Sequence, residues 1–178
     1  HRRLRYFFEI PAILKKLKIE VAIEPAHFGP FRLPDSIKRI NIVHDLTPVL
    51  FPKYHPQFSQ VYHRLAFPSI LKKADLIIVN SENTKKDSVS WLSFTKNKIL
   101  KLYPGASAIF QPTKNSGVLK KYGIDAPYIL SVATLEPRKN LTFLLHAFEI
   151  LKKEKKLPHQ LVLVGKKGWG NHTFDALL

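Results

Sequence analysis

Two hydropathy rhythms alternate along the chain, short apolar runs with the length of strands and longer runs with the spacing of helices. Residues 75–79 are a nearly unbroken apolar run, the pattern of a strand covered on both faces, and 128–133 and 160–164 predict strands as well. Residues 19–23, 39–43 and 98–102 predict three more short strands. Helical spacing recurs over 4–17 (Leu4, Phe7, Phe8, Leu14, Leu17), 57–73 (Phe58, Val61, Leu65, Ile70, Leu71), 82–92 and 141–155. A short helix is predicted around 118–122, and a last one starts near Thr173. Pro11 and Pro68 predict bends in the first two long helices. Ser81 is placed to cap the helix at 82–92, with Glu82 in its first turn, and Asn140 to cap the helix at 141–155.

Strands alternating with helices predict an α/β fold, parallel sheets with helices on both sides, joined by right-handed crossovers. Ligands of such sheets bind beyond the carboxyl ends of the strands. That rule selects five segments: His44-Asp45, Asn80-Ser81-Glu82, Tyr103-Pro104-Gly105, 133–139 and 165–170. Two long proline-bearing loops, 24–34 and 46–56, also stand out, because loops of that length inside compact domains tend to be functional. The mixed stretch 106–126 is the candidate domain boundary, which divides the chain into 1–112 and 113–178.

Composition adds constraints. The chain has 178 residues, no cysteine and no methionine. The absence of cysteine excludes disulfides and thiolate chemistry and weakly favours a reducing compartment. The absence of methionine and the His-Arg-Arg start suggest that residue 1 is internal to a longer polypeptide. No run reaches the roughly 18 apolar residues of a membrane span, and the N-terminus lacks a signal-peptide core. The formal charge is +16, from 29 basic and 13 acidic residues. Three readings of that charge are open: lysines spread over solvated faces, an anionic membrane surface, and nucleic-acid phosphates. Several lysine doublets close predicted helices, where a cation complements the dipole.

The densest chemistry is at 128–140, YILSVATLEPRKN, where a strand runs through an acidic-proline-basic turn into a helix. Two cations, Arg138 and Lys139, beside a helix N-terminus make a place for a diphosphate. Lys139 is the first candidate, a full positive charge beside the N-terminus of the predicted helix. The competing reading is a solvated first-turn lysine. Arg138 either assists or points to solvent. Asp45 reads as a turn residue rather than a base. Ser81 and Glu82 read first as helix capping. Gly105 is expected to serve a turn through its backbone freedom. Gly165 either lets backbone approach a ligand closely or belongs to an ordinary strand-to-helix loop. Phe51, Tyr54 and the phenylalanines of 28–31 line an entry or fill a core. No other His or carboxylate has ligand spacing with His44-Asp45, so no metal site is expected.

In order along the chain, HDLTP (44–48), ADLIIVNSENTKKD (74–87), KILKLYPG (98–105), YILSVATLEPRKNL (128–141) and LVLVGKKGW (161–169) resemble the retaining GT-B-fold glycosyltransferases of family 4, "group 1", and their mannosyltransferase-like branch most of all. The match runs from about residue 24 to the C-terminus. Each motif alone is weak, and the five in order are specific. The resemblance implies two Rossmann-like parallel-sheet domains, both incomplete in this chain, with an acceptor side first and a nucleotide-sugar side second, facing each other across a cleft. It implies a glycine-rich acceptor loop before residue 1 and a Glu-x7-Glu segment after residue 178, so this chain alone is not expected to be a complete catalyst.

By the same resemblance, Lys139 lies on the donor diphosphate, with Arg138, Glu136, Thr134 and Gly165 in the donor loops. Relatives often carry an arginine where this chain has Thr134, which leaves the second phosphate cation open. His44 lies near the transferred sugar and hydrogen-bonds a hydroxyl; its competing reading is a strand-end histidine satisfying a loop carbonyl. Ser81, Glu82 and Gly105 shape the cleft wall. The implied reaction transfers a hexose, mannose foremost, from a GDP- or UDP-hexose to a glycan or lipid-linked acceptor with retention. It needs no metal, no other cofactor and no enzyme nucleophile, and the leaving phosphate takes the acceptor proton. The implied setting is cytoplasmic, peripheral at the inner face of a membrane. Two other classes stay open: a basic α/β nucleic-acid-binding module, for which no recognition motif is visible, and a non-catalytic GT-B scaffold.

Overall fold

The computed structural model describes residues 8–26, 29, 32–112, 117–125 and 127–168. Phe28, Phe31, Trp169, the helix expected near Thr173 and the first residues of the helix expected at 4–17 lie outside them. The chain is α/β, and its backbone divides into two compact units, His1–Ser107 and Ala108–Leu178.

The first unit begins with helix α1 (Ile10–Lys16), which carries Pro11 in its first turn. Phe8 and Glu9 before it are already π-helical, so the chain passes from a wider to an α-helical turn where Pro11 stands, in the stretch where a bend was expected. Strands β1 (Val21–Glu24), β2 (Lys38–Val43), β3 (Leu76–Val79) and β4 (Ile99–Lys101) form one sheet in the order β1-β2-β3-β4, every neighbour pair parallel. The loop after β2 holds a short helix, α2 (Thr47–Leu50), and a 3-10 turn, Pro52–Tyr54. The long helix expected at 57–73 is two helices, α3 (Gln57–Leu65) and α4 (Phe67–Lys73). Pro68 has no N–H for the residue 64 carbonyl, so the chain restarts a helix with Pro68 in its first turn. Helix α5 (Glu82–Trp91) and a 3-10 segment, Ser93–Lys98, complete the unit.

The strand register separates the two faces of this sheet. Ala22, Asn41, Val43, Ile77 and Val79 share one face and are all buried. Val43, Ile77 and Val79 pack with Leu46, Phe67, Leu71 and Ala74 into the core, flanked by Tyr62, Trp91 and Ile99. On the opposite face, Val21, Ile23 and Leu100 are exposed, and Ile40, Ile42, Leu76 and Ile78 are only half-buried. The expectation of helices on both sides therefore fails for this unit among the described residues. The strand order explains it: when each new strand adds at the same edge, right-handed crossovers all fall on one side.

In the second unit, helix α6 (Gly117–Lys121) precedes a parallel pair, β5 (Tyr128–Val132) and β6 (Gln160–Val164), joined through helix α7 (Leu141–Lys155). Of its described apolar residues, Leu141 alone is buried. Among the described residues no helix is long and apolar enough to cross a membrane.

Candidate functional site

At the carboxyl edge of the first sheet, β2 delivers His44 and Asp45, and β3 delivers Asn80 and Ser81. Asp45 folds its own turn, accepting the Thr47 backbone N–H at 2.9 Å and the Thr47 hydroxyl. That is the turn role expected of an Asx side chain. Ser81 caps α5 as expected, its hydroxyl accepting the Thr84 N–H at 3.0 Å. His44 is exposed, and its Nε2 lies 2.8 Å from the Pro25 carbonyl. A carbonyl only accepts, so Nε2 bears a proton and donates it to this bond. The sequence alternative of a strand-end histidine satisfying a loop carbonyl thus describes one of its contacts.

Two residues not singled out in the sequence hold this edge together. Buried Thr84 donates from its hydroxyl to the His44 carbonyl at 3.0 Å and lies 2.8 Å from the Ser81 hydroxyl. Lys101, at the end of β4, pairs with Glu82 at 2.9 Å, and its ammonium is 4.9 Å from the Tyr103 ring centroid. Their hydrogen bond first, and the Lys101 charge second, hold the Glu82 carboxyl below its usual range. Lys101 is lifted by the Glu82 hydrogen bond first and by one to Tyr103 second. Glu82 therefore acts on β4 as well as on its own helix dipole. The only signal for Thr84 was its third place after the cap serine. Lys101 had none, because its partner is nineteen residues away.

Gly105 corrects an expectation. Its φ is not positive, and a Cβ there would meet nothing within 4 Å, so the turn does not require glycine. Phe51 is 53% exposed and does not fill the core, while Tyr54 is half-buried with the Lys53 ammonium 4.9 Å from its ring centroid.

In the second unit the loops after β5 and β6 are laced together. Ala133 N–H donates to Val164, Leu135 N–H to Lys166, and Gly168 N–H back to Leu135, at 3.0, 2.9 and 2.9 Å. A Cβ on Gly165 would lie 1.7 Å from the Ala133 carbonyl oxygen, and one on Gly168 would lie 2.6 Å from that of Leu135. Gly165 is therefore required by its neighbouring backbone. A Cβ on Gly168 would also come within 3.1 Å of the Thr134 methyl group, which places exposed Thr134 at the rim of this lacing.

The lacing presents the turn Glu136–Asn140. Glu136 pairs with Arg138 at 2.6 Å, so the Arg138 charge is already balanced. Lys139 is exposed, and its ammonium has no partner among the described residues. The 3-10 turn Pro137–Lys139 ends at Asn140 in the left-handed region, φ 51°, ψ 37°. This corrects the expected cap: an N-cap side chain reaches its N–H from extended backbone, and Asn140 makes no such bond. The first N–H groups of α7 thus gain no cap from Asn140, next to an unpaired cation. Among the described residues no three His, Cys, Asp or Glu side chains are grouped to hold a metal ion.

No family model matches the chain. It is 29% identical over 158 residues to the O-antigen chain mannosyltransferase B of Escherichia coli, an alignment covering 85% of this chain and 42% of that protein. It is 27% identical over 138 residues to the serotype-specific mannosyltransferase WbdA of Escherichia coli, covering 72% of this chain and 17% of that one. The chain thus spans less than half the length of either relative. These similarities support its place among the glycosyltransferases.

Proposed function

We propose that this chain serves a retaining GT-B-fold glycosyltransferase of family 4, transferring a hexose from a nucleotide-sugar to a glycan or lipid-linked acceptor. Mannose is the first sugar to test, because both relatives above are named as mannosyltransferases. GDP and UDP are the carriers to compare. The reading places the enzyme in the cytoplasm, peripheral to the inner membrane face, with no metal in the reaction.

The observation that carries the reading is the turn before α7. An unpaired ammonium and helix N–H groups that Asn140 leaves uncapped meet on a loop stiffened by the backbone lacing. As the glycosidic bond breaks, negative charge grows on the leaving diphosphate, and donors already aimed at that charge lower the barrier. Lys139 supplies the full charge, and α7 supplies its dipole end. Arg138, balanced by Glu136, shapes the turn more than it adds charge. Within the first unit, His44 is assigned the role of meeting a sugar hydroxyl. The acceptor proton leaves with the phosphate, so no protein nucleophile is required.

Calorimetric titration of the chain with GDP, UDP, GDP-mannose and UDP-hexoses tests the proposal. The expected result is binding of one nucleotide class, weakened about tenfold or more by Lys139→Ala, the scale of one charge-assisted contact. Equal affinity of the variant for every ligand would remove Lys139 from the site.

A further inference from the structure

One carboxylate in the first unit has no part in the function proposed above. Glu24 ends β1 and is 8% exposed, in a chain of net charge +16. Burying a carboxylate is costly unless donors surround it. One of its oxygens accepts the Ala26 N–H at 3.0 Å, across the turn that contains Pro25. The Pro25 carbonyl in that turn is the one that accepts from His44 Nε2 at 2.8 Å. Asn41 lies beside Glu24 in the strand register and is also buried. Burial first, and the Glu24 charge second, push the nearby Tyr62 phenol above its usual range, so it stays protonated.

We propose that Glu24 is a positioning residue for His44: its carboxylate fixes the 24–26 turn, and the turn fixes the imidazole tautomer. The proposal deepens the transferase reading and rests on it for the purpose of His44. The route is two hydrogen bonds long. With Ala26 N–H tied to Glu24, the intervening peptide is held in one orientation and its Pro25 carbonyl faces β2. That carbonyl selects the Nε2–H form of His44. In that form Nδ1 is the accepting nitrogen, which suits a sugar hydroxyl as the donor. The His44 backbone is fixed separately by the Thr84 hydroxyl at 3.0 Å, so the ring is steadied from two directions.

Imidazole-labelled protein tests this by long-range nitrogen–proton correlation at about pH 9, where an ordinary imidazole is neutral. A His44→Gln variant assigns the signals. The proposal expects the Nε2–H form in the unsubstituted chain and in Glu24→Gln, whose amide oxygen can still accept the Ala26 N–H. Glu24→Ala should raise the Nδ1–H form roughly fivefold, the scale of one lost hydrogen bond. Ala26→Pro removes the same bond from its donor side and should do the same, so the test survives if Glu24→Ala does not fold. An unchanged tautomer in folded Glu24→Ala or Ala26→Pro would overturn the proposal. So would a Glu24→Gln spectrum like that of Glu24→Ala, which would assign the effect to charge instead of the turn. Nucleotide titration of the same samples keeps the two readings apart. Lost nucleotide binding with the tautomer response intact removes the transferase reading and leaves the positioning in place.

Discussion

The two units hold their candidate residues by different means. In the first, His44, Ser81 and Glu82 are fixed by side-chain hydrogen bonds and an ion pair, set on four parallel strands over a buried cluster. In the second, the Lys139 turn rides on two strands, and backbone bonds between adjacent loops do the holding. Precision can come from a packed core that locks side chains, or from glycines that let two backbones touch. The difference predicts that substitutions damage the two units in different ways.

The largest effect should come from the first core. Phe67 is fully buried and stacks with Trp91 at 6.4 Å. Phe67→Ala should cost about 3–5 kcal/mol, measured by denaturant unfolding, with β1–β4 amides losing hydrogen-exchange protection first. If β5 and β6 amides lose theirs equally, the units are energetically one and the contrast fails. Next is Gly165→Ala, which puts a methyl group into the Ala133 carbonyl. We expect about 1–3 kcal/mol of strain, seen as faster exchange at Leu135 and Gly168, with β1–β4 unchanged. Gly105→Ala is its control and should be silent, because nothing stands within 4 Å.

Ser81→Ala should cost about 1 kcal/mol through the lost cap, with faster exchange at the Thr84 amide. The smallest effect is a pH slope. Asp75 is held below its usual range, first by the Arg39 backbone N–H and then by Lys38. A carboxyl depressed in the folded state adds stability above its unfolded value near 3.8 and loses it as pH falls through the folded value. Because the group is exposed, the slope should be slight. Asp75→Asn should flatten it in urea titrations taken across that acid range.

How much of this was legible in the sequence follows from the range of each interaction. The runs at 76–79 and 160–164, the Ser81 cap and the Asp45 turn are local, and hydropathy or spacing within a few residues reveals them. The break between α3 and α4 was signalled by Pro68 but read as a bend, because a proline is compatible with either a kinked helix or a new first turn. Asn140 was misread because a 3-10 turn at 137–139 leaves it in the left-handed region, where its side chain does not cap. The pairs His44–Pro25 and Thr84–His44 span 19 and 40 residues and depend on strand order, which one-dimensional spacing does not carry. Gly165 was read as serving a ligand or an ordinary loop, whereas what crowds it is the Ala133 carbonyl, just past the end of the neighbouring strand.

The central claim is that the Lys139 turn cradles a diphosphate. The most direct measurement is amide NMR of the labelled chain titrated with GDP, UDP and GDP-mannose. The account predicts shifts concentrated at Lys139 and at the Leu141, Thr142 and Phe143 amides that open α7, abolished in Lys139→Ala. Saturating nucleotide that leaves those amides unmoved, or moves them equally in the variant, would contradict it.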